Sequence, residues 1–63
     1  MTRYALYNIE HRTFLHQWVV VQGHESFGWH SDADFALTWS SMTEAMLFAE
    51  THELTANIQP VTR

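Results

Sequence analysis

The chain has 63 residues and no cysteine, and this combination restricts its fold more than any other feature. A domain of about 60 residues buries only about 60% of the surface its unfolded chain exposes, so its stability is marginal. Chains of this size often add disulfides, a metal or self-association. Without cysteine, disulfides and thiolate metal sites are excluded. What remains is dense packing, a histidine-based metal site, or assembly with another copy, all within one domain spanning residues 1–63.

Composition favours packing. Three tryptophans, four phenylalanines and two tyrosines are a heavy aromatic load for this length. Each ring buries roughly 150–250 Å² when enclosed. So small an interior cannot enclose them all, and one or more of Trp18, Phe27, Trp29 and Trp39 is expected at the surface. Exposed aromatics rimmed by acids mark a protein–protein contact.

Charge narrows the partner. Between Arg12 and Arg63 there is neither lysine nor arginine, while Glu25, Asp32, Asp34, Glu44, Glu50 and Glu53 fall in that stretch. Nucleic-acid affinity rests on cations that neutralise phosphates, so direct nucleic-acid binding is not expected. The same deficit argues against an anionic membrane surface. No apolar segment follows a basic start, and the run Trp18-Val19-Val20-Val21 is too short to span a bilayer. A cytoplasmic protein with a neutral or basic partner is the expectation.

The pattern along the chain predicts an α+β fold, a small antiparallel sheet of three to four strands with one helix across it, in the order β-β-(β)-α-β. Thr2 to Glu10 reads as a central strand, apolar on both faces near its start, and a second strand runs from about Thr13 to Gln22. Gly23 ends it. His24 to Asp34 is the least regular part, with a short third strand at Phe27-Gly28-Trp29 and an Asx-type turn at Ser31-Asp32-Ala33-Asp34. Phe35 to Ser40 is a brief extended stretch that brings Trp39 into the core. Ser41-Met42-Thr43-Glu44 has the spacing of a capping box, which predicts a helix from Met42 to about His52. Met42, Ala45, Phe48, Ala49 and His52 form its inner face. Glu53 sits at the negative end of the helix dipole, so fraying is expected there. A last strand covers Ala56 to Val61, with Ile58 inward and Pro60 marking an edge.

Tyr4 to Ile9, Phe14-Leu15, Trp29-His30-Ser31-Asp32, Ala36, Trp39-Ser40-Ser41, Glu44-Ala45, Phe48-Ala49, Leu54 and Ile58-Gln59-Pro60-Val61 form a pattern that covers most of the chain. This pattern resembles that of very small phage and prophage accessory proteins. The resemblance implies an accessory role, such as blocking host nucleic-acid machinery by occupying a basic groove. It transfers no catalytic residue, because the shared positions build the fold. Here His30 stands where a hydroxyl or acid is more usual, and Trp39 where phenylalanine is commoner.

Chemistry-bearing clusters are sparse. His11, His16, His24, His30 and His52 invite a zinc site, and His24, His30, Asp32 and Glu25 would converge if their loop folded back across Gly28. No histidine pair has i, i+4 spacing, so scattered surface histidines are the plainer reading and no metal or other cofactor is assigned. Asp32/Asp34 and Glu50/His52 are neighbours in sequence, but general acid–base catalysis also needs a pocket, so no enzyme is expected. The residues read as partner-binding are Trp18, Phe27 and Trp29 with Glu25, Asp32 and Asp34. They would engage a host protein with a basic surface. The alternatives are a homodimeric structural or regulatory module and a small histidine/carboxylate metal protein.

Overall fold

A computed structural model describes residues 2–54 and 56–63. Strands β1 (Tyr4–Asn8), β2 (Thr13–Val21) and β3 (His24–His30) form a meander, helix α1 (Met42–Thr51) follows, and strand β4 (Ile58–Thr62) closes the chain. The antiparallel sheet has the order β3-β2-β1-β4, with one helix packed on it. The expected architecture is therefore present, with β1 as an interior strand and β4, carrying Pro60, at an edge.

Each element has a local cause. Asn8 Oδ1 accepts the amide of His11 at 3.0 Å and so closes the first turn. At the β2–β3 turn Gln22 and Gly23 both have positive φ, 52° and 79°. This is the two-residue type I′ geometry that suits the twist of a hairpin. It starts β3 at His24, earlier than the pattern suggested. The stretch expected to be irregular is in fact a seven-residue strand paired with β2 along its length. Strand β2 has a bulge between Leu15 and Gln17, opposite Gly28. A side chain at Gly28 would lie 3.0 Å from both Gln17 Cβ and His16 Nε2, so glycine here permits the close approach of the bulged strand.

The other side of β2 is also irregular. Strands β1 and β2 pair only at Tyr7–Phe14 and Asn8–Thr13, then separate. The segment Leu37–Trp39 runs into the fork. Leu37 donates its amide to Leu15 O at 2.9 Å, and Tyr4 and Trp39 exchange backbone bonds of 2.9 and 2.8 Å. Trp39 thus reaches the core as expected, but as a wedge between two strands that the sequence pattern leaves adjacent.

Ser41 Oγ accepts the Glu44 amide at 3.1 Å, as the cap predicts. The reciprocal half differs, because the Glu44 carboxylate accepts from Ser40 Oγ at 3.0 Å. Ala45 and Ala49 are fully buried against Leu6 and Leu15, and their small size lets the helix lie close on the sheet. Tyr4, Phe27, Trp29, Leu37, Trp39, Phe48, Leu54 and Ile58 pack around this centre. Met42 does not belong to the inner face; it is half exposed in the first turn.

The helix end is closed where fraying was expected. Glu53 donates its amide to Glu50 O, and Leu54 donates to Ala49 O at 2.7 Å. Glu53 itself adopts φ 58°. These bonds form a Schellman motif, whose left-handed position glycine fills best. The apolar contact of Leu54 with the core holds the reversal in place despite the unfavourable residue. Glu53→Gly is therefore expected to raise stability by about 0.5–1 kcal/mol, read as a higher urea midpoint with unchanged slope.

Candidate protein-binding site

The turn and bulge chemistry extends the β2–β3 hairpin beyond the rest of the sheet, and α1 ends beside it. On the helix-side face Trp18 lies opposite Phe27 and Val20 opposite Glu25. His52, the C-cap of α1, is enclosed there by rings: its centroid lies 4.9 Å from Trp18, 5.9 Å from Phe27 and 4.3 Å from Phe48. Trp18 also meets Phe48 edge to face at 5.3 Å. His52 Nδ1 lies 2.8 Å from Glu25 Oε1, an ion-pair contact between the helix end and β3.

This cluster stops short of covering its outer members. Trp18 is 43% exposed and Val20 52%. Phe27 and Trp29 are half-buried and pack toward the core. Glu25 stands at the rim beside His52, and the exposed Glu53 follows His52 directly in the chain at the helix carbonyl end, which carries partial negative charge. The site is therefore apolar at its centre and acidic at its edge, and no arginine or lysine sequence position lies between Arg12 and Arg63 to offset it.

Four of the six residues expected at the site, Trp18, Glu25, Phe27 and Trp29, share the helix-side face of the hairpin. Asp32 and Asp34 do not join them. They follow the far end of β3, about 20 Å from its start at an ordinary strand rise. Asp32 caps the 3₁₀ turn Ala33–Phe35 by accepting the Asp34 amide at 2.9 Å, the expected Asx turn. Asp34 is bound to Arg63 at 3.0 Å, and Arg63 also donates to Ala33 O. Their role in this structure is to fasten the loop to the end of β4. Sequence reading missed His52 and Glu53 as site members; the Phe48/His52 spacing on α1 was the available signal.

The same strand separates the histidines. An extended β3 keeps His24 and His30 at opposite ends, so the loop convergence that would bring them together does not form. His30 Nδ1 accepts the Asp32 amide at 2.9 Å, which puts the proton of a neutral ring on Nε2. That tautomer leaves no free lone pair on the His30 ring, whose centroid lies 5.6 Å from that of His16. Among the described residues no group of three or more His, Asp or Glu side chains is placed to hold a metal ion.

Two shallow clefts lie elsewhere. One, of about 410 Å³, is on the opposite face of the sheet, lined by Tyr7, Arg12, Phe14, Ser31 and Gln59 among others. Another, of about 380 Å³, follows the outer face of α1 along Met42, Met46, Leu47 and Glu50. Neither brings a carboxylate and an imidazole together. Among the described residues no helix is long and apolar enough to cross a membrane. No family model matches the chain, and neither a curated protein nor a solved structure is significantly similar to it.

Proposed function

We propose that the chain is a non-enzymatic interaction protein, of the phage accessory kind its sequence resembles, that binds and modulates a host protein with a basic surface. The observation that carries this reading is Trp18, an indole left 43% exposed beside Val20 on a projecting hairpin, with acids at its margin. Buried aromatic anchors dominate the energetics of protein interfaces. Rim charges set approach rate and salt dependence. Glu25 and Glu53 favour a basic partner, and a factor that handles nucleic acid has such a surface. Asp32 and Asp34 play no part in this contact, since they lie at the other end of β3.

Affinity capture from bacterial lysate at low and high salt, with the wild type, Trp18→Ser and Glu25→Lys side by side, tests the reading. A basic, nucleic-acid-handling protein should be retained at low salt, lost at high salt, and lost with either variant. Capture indifferent to salt and to both substitutions would overturn it.

A further inference from the structure

We propose that the chain forms a symmetric homodimer by antiparallel pairing of β3 with β3 of a second copy. The inference does not rest on the partner-binding reading above: the anchor of that reading, Trp18, lies on β2, one strand in from the edge, and only Glu25 belongs to both surfaces.

Strand parity supplies the first argument. The type I′ turn makes Val21 and His24 a hydrogen-bonded pair, so alternate residues of β3 turn their amides and carbonyls toward β2. His24, Ser26 and Gly28 do so. Glu25, Phe27 and Trp29 therefore direct theirs away from the sheet. Among the described residues these outward groups have no partner in any turn, loop or side chain. They form an open row along a strand with no proline and no lysine, the residues that commonly block an edge.

The opposite edge is closed by comparison. On β4, Val61 and Gln59 face β1, which leaves Ile58, Pro60 and Thr62 facing outward. Pro60 stands at the middle of that row and has no amide to donate. Among the described residues only β3 offers an uninterrupted edge.

Self-complementarity selects a second copy as the occupant. Full overlap of His24–His30 with itself places the two-fold axis at Phe27, the central residue. Phe27 has the outward parity that a hydrogen-bonded pair on such an axis requires. In that register Phe27 meets Phe27, Glu25 meets Trp29 and Ser26 meets Gly28, and no acid of β3 faces an acid. The same surface patch serves both copies, as a two-fold interface demands. The assembly would be one continuous sheet, with the two Trp18–Val20 strips left open on its helix-side face.

Sedimentation of the full chain from micromolar to millimolar concentration, with amide exchange followed by NMR across the same range, is the test. The expected result is a monomer–dimer transition in which the Glu25, Phe27 and Trp29 amides become protected with concentration. Ser26 and Gly28 should be protected throughout by β2. A mixed labelled and unlabelled sample should show an intermolecular contact between the α-protons of Ser26 and Gly28. Glu25→Pro removes an outward amide without touching the β2 ladder, and should weaken the dimer roughly tenfold or more. Glu25→Gln, which keeps both the amide and an acceptor for His52, should not, and Trp18→Ser should dimerise like the wild type. A monomer at every concentration, or a dimer in which those three amides stay unprotected, would overturn the proposal.

Discussion

Leu15→Ala is expected to remove about 2–5 kcal/mol of stability, the larger part of what so small a domain possesses. Leu15 and Leu6 are the largest fully buried side chains. Leu15 faces Ala45 and Ala49, whose methyl groups are too short to follow a retreating neighbour into the gap. Its carbonyl also accepts the amide of Leu37, so relaxation of β2 toward the cavity would pull on the bond that seats the wedge. Total stabilities lie near 5–15 kcal/mol for ordinary domains and toward the low end at this size. The variant should therefore melt far below the wild type or fail to give a cooperative transition. Circular dichroism during urea titration reads this directly. Loss of less than about 1 kcal/mol would mean the site collapses freely and the helix is not held as described.

Trp39→Ala should cost about 3–5 kcal/mol, with Trp39→Phe retaining most of the stability. The backbone of Trp39 is paired with Tyr4, and its ring lies 5.1 Å from Phe48. Truncation would leave the fork between β1 and β2 filled by backbone alone and expose one side of Phe48. The effect should reach the proposed binding site, because Phe48 supports both Trp18 and His52. Trp18 fluorescence should accordingly shift to longer wavelength in Trp39→Ala even where the variant remains folded. An unchanged emission from Trp18, measured against Trp39→Phe with Trp29 also replaced by phenylalanine so that Trp18 is the one indole in both proteins, would disconnect the wedge from the hairpin.

Most secondary structure was legible because its causes are local. The Ser41 cap, the alanine face of α1, the β-branched run from Thr13 and the Asx turn at Asp32 each depend on residues within one or two turns of chain. Errors arose where the deciding contact was distant or the backbone took an unusual region. Gln22 and Glu53 carry no sign of positive φ, so the early start of β3 and the closed end of α1 were hidden. The acids illustrate the same limit at the site. Their proximity in sequence grouped Glu25 with Asp32 and Asp34, whereas an extended strand places residues seven positions apart at its opposite ends.

The α+β class, the lack of disulfides, the acidic balance and the composition of the helix–sheet core were legible in the chain alone. These follow from residue type and short-range periodicity. Long-range packing was needed to divide β1 from β2 with Trp39, to bring His52 and Glu25 together beside the aromatic cluster, to leave Trp18 half exposed, and to make β3 rather than β4 the open edge. Those outcomes depend on which strands become neighbours. Strand order is set by the free energy of packing the whole chain around Leu6 and Leu15, and no local segment of the sequence contains it.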